Sequence, residues 1–197
     1  MKKWYVLIAV VITLFVSACD DDGAGPAKKT WEEEVLLSDG SVIWVQRKTS
    51  YVVGSPMGGG GGYISNLENT LTVPANPVAP SPPVWHFESA APMMLGYDKV
   101  KQTWYVVAIF YMCGTWVQWG WPMPPYRQYE VQNGQWVVVP LNPDLIGQNA
   151  NLLTDIVGNK SKRVTIEDRI KLEWNSGNEY KFVDDTWNGC KDDRERN

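Results

Sequence analysis

Apolar and polar residues alternate at the two-residue period of a β-strand in three pairs of segments, each pair joined by a turn. Residues 31–37 and 42–48 flank Ser38-Asp39-Gly40-Ser41. Asp-Gly between two β-branched runs predicts a hairpin, because these residues tolerate the backbone angles a tight turn needs. In the second run Val42, Trp44 and Gln46 fall on one face, and Ile43, Val45 and Arg47 on the other. Residues 126–132 and 135–139 flank Asn133-Gly134, which supplies the two positive φ angles of a type I′ turn. A third hairpin is predicted from residues 93–97 to 103–112 through Asp98-Lys99-Val100-Lys101. Residues 103–113 carry no charge and are rich in valine and aromatics, which predicts a strand buried on both faces.

Helical spacing appears only later in the chain. Asn142 can cap and Pro143 suits a first helical position. Leu145, Asn149, Leu152, Leu153, Ile156 and Val157 then recur near the helical period up to Gly158, with Gly147 opposing the helix. Thr165-x-x-Asp168 resembles a capping box, followed by a stripe of Ile166, Ile170 and Trp174 and a stop at Gly177. Gly58 to Gly62 is read as a flexible loop, since Tyr63-Ile64-Ser65 follows where a phosphate-binding loop needs Gly-Lys-Ser/Thr. Residues 74–83 hold five prolines and no charge, and read as an extended connector. Residues 102–126 are uncharged over a length that would span a bilayer. They are broken by Gly114, Gly120, Pro122, Pro124 and Pro125, so residues 116–125 are read as a loop or edge rather than part of a membrane helix. The fold class expected is mainly β (α+β): an antiparallel sheet or open barrel built from hairpins, with one or two short helices near the C-terminus.

The N-terminus follows a different rule. Lys2 and Lys3 precede an uncharged apolar run from Trp4 to Phe15, the layout of an export signal. The run ends in Val16-Ser17-Ala18-Cys19, which resembles the lipobox of bacterial lipoproteins. The resemblance implies cleavage before Cys19, acylation of that residue, and a stable membrane tether, because two or more acyl chains hold a protein where one does not. Small residues at positions 17 and 18 let the backbone fit the protease, and the Cys19 thiol is the group acylated. Asp20 resembles a signal for retention at the periplasmic face of the inner membrane, with the outer membrane or cell surface as other destinations. Residues 1–18 are then the signal, 19–30 a charged, breaker-rich tether, and 31–197 one β-rich domain with a solvated tail from about 190.

The formal charge of −4, without a basic cluster, argues against nucleic acid as a partner. Three cysteines are present. With Cys19 assigned to lipid, Cys113 and Cys190 remain, free to form a disulfide in an oxidising compartment or to persist as a buried thiol and a tail thiol. No Cys-x-x-Cys occurs, and neither a metal site nor a cofactor is indicated.

No catalytic residue is assigned. His86 is the only histidine, placed between aromatics in Val84-Trp85-His86-Phe87-Glu88, with no Gly-x-Ser-x-Gly elbow in the chain. Glu32, Glu33 and Glu34 alternate sides if extended, so at least one must face solvent or find a partner. Glu88, Asp98 and Glu130 lie apart along the chain, and a two-carboxylate glycosidase site leaves no local signature. Eleven tryptophans against four phenylalanines is an unusual balance. Trp116-Val117-Gln118-Trp119-Gly120-Trp121-Pro122 is the most distinctive run, and Trp116, Trp119 and Trp121 form the candidate binding surface. On an extended backbone Trp119 and Trp121 share a face and Trp116 points away. Exposed, they would grip a protein, a sugar ring or lipid headgroups; buried, they belong to the core.

The segments 31–40 and 130–141 resemble proteins of bacteria and their prophages, a likeness covering much of residues 31–160 that implies no particular activity. The function expected is a membrane-anchored envelope lipoprotein acting as a non-enzymatic module that binds an envelope protein or a glycan. A prophage version would exclude a second phage. The alternative is an envelope hydrolase, acting on glycan or peptide through a cleft that gathers His86 with a serine, Cys113 or two carboxylates.

Overall fold

The computed structural model describes residues 25–54, 63–154, 161–176, 181–185 and 190. The stretch expected to be a signal, the expected lipobox with Cys19, Asp20, the glycine run, Ile156, Val157, Gly177 and residues 191–197 lie outside the described residues. The chain is mainly β, and its described residues form two sheets and two α-helices.

The first sheet contains β1 (Gly25–Leu36), β2 (Val42–Gly54), β3 (Tyr63–Thr72) and β4 (Trp85–Glu88), paired antiparallel in sequence order. The two-residue β9 (Arg163–Val164) adds to β1 in parallel. The second sheet contains β5 (Ala90–Asp98), β6 (Thr103–Phe110), β7 (Tyr126–Gln132) and β8 (Gln135–Val139), all antiparallel. The three expected hairpins are all present. Asp39 Oδ1 accepts from Ser41 N at 2.9 Å in the first turn. Asn133 and Gly134 take φ of 52° and 75° in the second. Asp98 Oδ1 accepts from Val100 N and Lys101 N in the third.

The sheets share one core. Val35, Ile43, Val45, Leu71 and Trp85 from the first meet Leu95, Trp104, Val106, Ala108 and Tyr129 from the second. A further apolar layer covers the far side of the second sheet. There Met93, Val107, Ile109 and Tyr126 pack with Trp116, Leu145, Ala150, Val183 and Cys190. This second layer is why β6 reads as continuously apolar: from Val106 to Phe110 neither of its faces meets water. The proline connector is pinned rather than loose. Trp104 Nε1 donates to Pro80 O and Trp136 Nε1 to Pro83 O, each at 2.8 Å.

Cys113 and Cys190 form a disulfide, with Cα atoms 5.6 Å apart. Cys190 is buried. The bond ties the C-terminal segment to α1 (Cys113–Gln118).

Three local expectations are corrected. Strand β1 begins at Gly25, inside the stretch expected to be tether, and Lys28 and Lys29 pair with Ser50 and Thr49 of the long β2. The breaker-rich residues can take this place because they extend the end of a strand rather than its middle. The helix expected from Asn142 is a single 3-10 turn, Pro143–Leu145, with Asn142 Oδ1 accepting from Asp144 N. Gly147, at φ of 82°, ends it. Leu152 and Leu153 are buried all the same, because residues 148–154 cross the edge of β5, where Leu152 N donates to Met93 O. Helix α2 (Ile166–Ser176) has its capping box, with Thr165 and Asp168 bonded reciprocally. Its buried face differs from the expected stripe: Arg169 is buried and bonds Ala150 O, while Ile170 is 56% exposed.

A buried ion pair fastens these pieces. Glu33 and Arg47 both have zero exposure and meet at 3.0 Å. Glu33 also accepts from Trp31 Nε1 and from Leu153 N. Burial pushes the Arg47 guanidinium below its ordinary pKa, and the charge of Glu33 is the largest influence holding it up.

Candidate functional site

The tryptophan run folds as a helical turn, not as an extended strand. Residues 113–118 form α1, and Gly120, at φ of 80°, turns the chain immediately afterwards. The helical spacing separates what alternation would have paired. Trp116 is buried, its Nε1 donating to Pro122 O at 3.0 Å. Trp121, not Trp119, packs against it with ring centroids 4.8 Å apart. Trp121 holds a left-handed φ of 59°, costly for a bulky residue and sustained here by the Trp116 contact and by its N–H bond to Trp116 O. Trp116 and Trp121 are thus the base of the loop.

Trp119 lines a groove. It is half-buried, edge-on to Phe110 at 6.2 Å, with the Arg127 guanidinium 4.7 Å from its ring centroid. Arg127 also donates to Trp119 O at 3.1 Å, so ring and backbone are held by one side chain. The groove has a volume of about 460 Å³ and runs past Pro122, Met123, Pro124 and Tyr126 to Val138 and Leu141 of the β7–β8 side. Met123 and Val138 are both 53% exposed. Beside it β8 is an outer strand, paired among the described residues with β7 alone.

A second concavity had no counterpart in the sequence reading. Beneath the β1–β2 turn, one cavity of about 370 Å³ is lined by Tyr97, Asp98, Lys99, Lys101, Glu130 and Asp144, among others. A neighbouring one of about 610 Å³ is lined by Leu36, Met94, Asn149, Ile166 and Ile170, among others. Both include Ser38, Tyr105 and Gln148, so they form one trough. A readable signal for it was Gly96 inside an apolar strand. A glycine there marks close approach, and a β-carbon at Gly96 would lie 2.1 Å from Cζ of Tyr105.

The chemistry expected of a hydrolase is not assembled at His86 and Cys113. His86 is exposed on β4, its Nδ1 3.2 Å from Thr70 Oγ1, and Cys113 has no thiol while bonded to Cys190. Carboxylates do gather in the trough, but most are engaged. Asp39 is paired with Lys99 and Glu130 with Lys101, each at 2.9 Å. The Ser41 hydroxyl, then Lys99, hold Asp39 well below the usual carboxylate range, which makes it a poor proton donor. Among the described residues no group of three or more potential ligands could hold a metal ion, and no helix is long and apolar enough to cross a membrane.

No family model, no curated protein and no solved structure matches this chain.

Proposed function

We propose that the protein is a lipid-anchored module of the bacterial envelope that binds a protein partner without chemistry, tethered through Cys19 and gripping through the Trp119 groove. The observation that carries the binding half is the clamping of Trp119 beside exposed Met123 and Val138. An aromatic ring fixed before binding loses little freedom on contact, which is what makes tryptophan a frequent anchor of interfaces. The outer edge of β8, unpaired among the described residues, offers backbone hydrogen bonds to an extended segment of the partner. The support for the anchor is the lipobox alone, Val16-Ser17-Ala18-Cys19 after an uncharged apolar run.

Two experiments test the two halves. Cys19→Ser should move the protein from the membrane pellet to the soluble fraction after an alkaline carbonate wash; retention in the pellet would refute the anchor. A photo-crosslinking residue placed in vivo at Met123 or Val138 should give a discrete adduct that Trp119→Ala abolishes. A control at Val100, 95% exposed and far from the groove in sequence, should give none. Equal crosslinking from all three positions, or adducts indifferent to Trp119, would remove the binding half.

A further inference from the structure

We infer that the trough under the β1–β2 turn is a second binding site and that it takes an extended neutral oligosaccharide, with Tyr105 as the platform on which a sugar ring lies. This goes beyond the partner surface at Trp119 and does not depend on it.

The platform is built, not incidental. Gly96 and Tyr105 are cross-strand partners in β5 and β6. The absent side chain of Gly96 leaves the space that the Tyr105 ring fills, with Cζ, Oη and Cε1 all within 2.4 Å of where a β-carbon would stand. The rest of the half-buried ring contributes to both cavities of the trough. Tyr97 borders the polar end of the trough, but its ring packs on Trp104 on the inter-sheet side, 5.2 Å between centroids, so the platform is Tyr105 alone. Aromatic rings braced from behind offer flat apolar faces to the C–H side of a pyranose.

The polar end matches hydroxyls rather than charge. Asp39, Asp98, Glu130 and Asp144 stand against Lys99 and Lys101 at this end, both lysines already bonded to carboxylates, while Arg169 and Lys181 line the other cavity, so the trough as a whole carries no net charge. A trough of balanced charge gives phosphate-bearing or uronic polymers no net attraction. Acceptors remain at Asp144 and at the second oxygen of Asp98, and Asn142 keeps its Nδ2 as donor. The apolar end, with Leu36 45% exposed, Ile166 and Ile170, suits sugar C–H faces or N-acetyl methyl groups.

An extended peptide is the weaker fit. The edge of β5 that would pair with it is occupied: Asn151 Oδ1 accepts from Leu95 N, Asn151 Nδ2 donates to Leu95 O, and Leu152 N takes Met93 O. Recognition in the trough is therefore left to side chains and rings, as in sugar sites.

The test uses the full-length chain in a detergent without sugar headgroups, titrated by calorimetry with chitotetraose, cellotetraose and maltotetraose, and with tetragalacturonate as the anionic control. At least one neutral tetramer should bind with Kd of about 1 mM or tighter. Tyr105→Ala should weaken it about tenfold or more, Tyr105→Phe less than about threefold, and Trp119→Ala not at all. Gln148→Ala, at an exposed position, supplies a second variant with little risk to folding. No neutral tetramer bound at about 10 mM, preference for the anionic one, or binding indifferent to Tyr105 in a protein of unchanged circular dichroism would overturn the inference. Those results would leave the Trp119 crosslinks standing, so the two readings fail separately. Shortening of the tetramer, read by mass spectrometry, would overturn a purely binding site.

Discussion

Neutralising Glu33 should unfold the protein at lower temperature by a margin that the buried ion pair sets. The carboxylate is fully buried and accepts from Arg47 Nη1 at 3.0 Å, from Trp31 Nε1 at 3.2 Å and from Leu153 N. Glutamine keeps the shape and one acceptor oxygen but removes the charge. Arg47, also at zero exposure, then loses its counter-charge, and its Nε has no partner among the described residues. Breaking a buried pair by removing one partner costs about 3–5 kcal/mol. Against a total stability of about 5–15 kcal/mol that is a large share. For a domain of this size it corresponds to a fall in Tm of about 6–20 °C. Glu33→Gln combined with Arg47→Met removes the orphaned charge while keeping an aliphatic chain against Trp31. It should recover most of the loss, leaving about 1–2 kcal/mol for the missing hydrogen bonds. Urea denaturation followed by circular dichroism measures both variants. If the double variant is as unstable as the two single variants added together, the unpaired charge is not the cause and the reasoning fails.

The remaining predictions concern the trough, the acid limb and the disulfide. Gly96→Ala puts a carbon 2.1 Å from Tyr105 Cζ, where contact needs about 3.5–4.0 Å, so the ring must lift. The cost should be about 1–3 kcal/mol and should nearly vanish in a Tyr105→Ala background; an equal cost in both backgrounds would rule out the clash. Asp39 and Asp168 are held below their ordinary pKa by hydroxyl hydrogen bonds from Ser41 and Thr165 respectively. Their contribution is therefore complete above the ordinary carboxylate pKa of about 3.9 and declines as pH falls below it. Wild type and Asp39→Asn should thus differ in thermal stability at neutral pH and converge in acid, and a gap that widens on acidification would reverse the sign. Replacing both Cys113 and Cys190 by alanine should cost about 2–4 kcal/mol in urea, given a separation of 77 residues. No measurable loss would mean that the covalent link adds nothing to packing already in place.

Much of the sheet structure was legible because hairpins are local. Asp39-Gly40 and Asn133-Gly134 each decide a turn, and the alternation beside them decides the register and the buried face, Ile43 and Val45 inward with Arg47. What alternation could not show is that Arg47 on that buried face meets Glu33 fourteen residues away, although the pair lies almost opposite in the hairpin register. The failed helix after Asn142 has a physical reason too. Leu145, Leu152 and Leu153 satisfy helical spacing, but a single Gly147 at positive φ redirects the chain, and the edge of β5 offers backbone partners that a helix there would forgo. Apolar spacing reports what is buried; the unpaired edge of a sheet elsewhere in the chain decides in what conformation.

The same distinction governs the candidate sites. Counting along an extended backbone joins Trp119 with Trp121, whereas three residues of helix and a positive-φ glycine join Trp121 with Trp116 and leave Trp119 to the groove. The residue types were informative and the pairing was not, because pairing depends on a local choice between strand and helix that a run of aromatics interrupted by glycine does not settle. For the trough even the residue types were mute. Tyr105 looks like an ordinary strand aromatic, and its value as a platform comes from what stands behind it, the missing side chain of Gly96. A glycine inside a well-formed apolar strand costs stability, since it packs nothing and loses more freedom on folding than any other residue. In β5 that loss creates the recess in which Tyr105 lies. If Gly96 were there only for folding, Gly96→Ala should lower stability and leave sugar affinity unchanged. If it is there to hold the ring, the same variant should lift Tyr105 and weaken sugar binding about as much as Tyr105→Ala does.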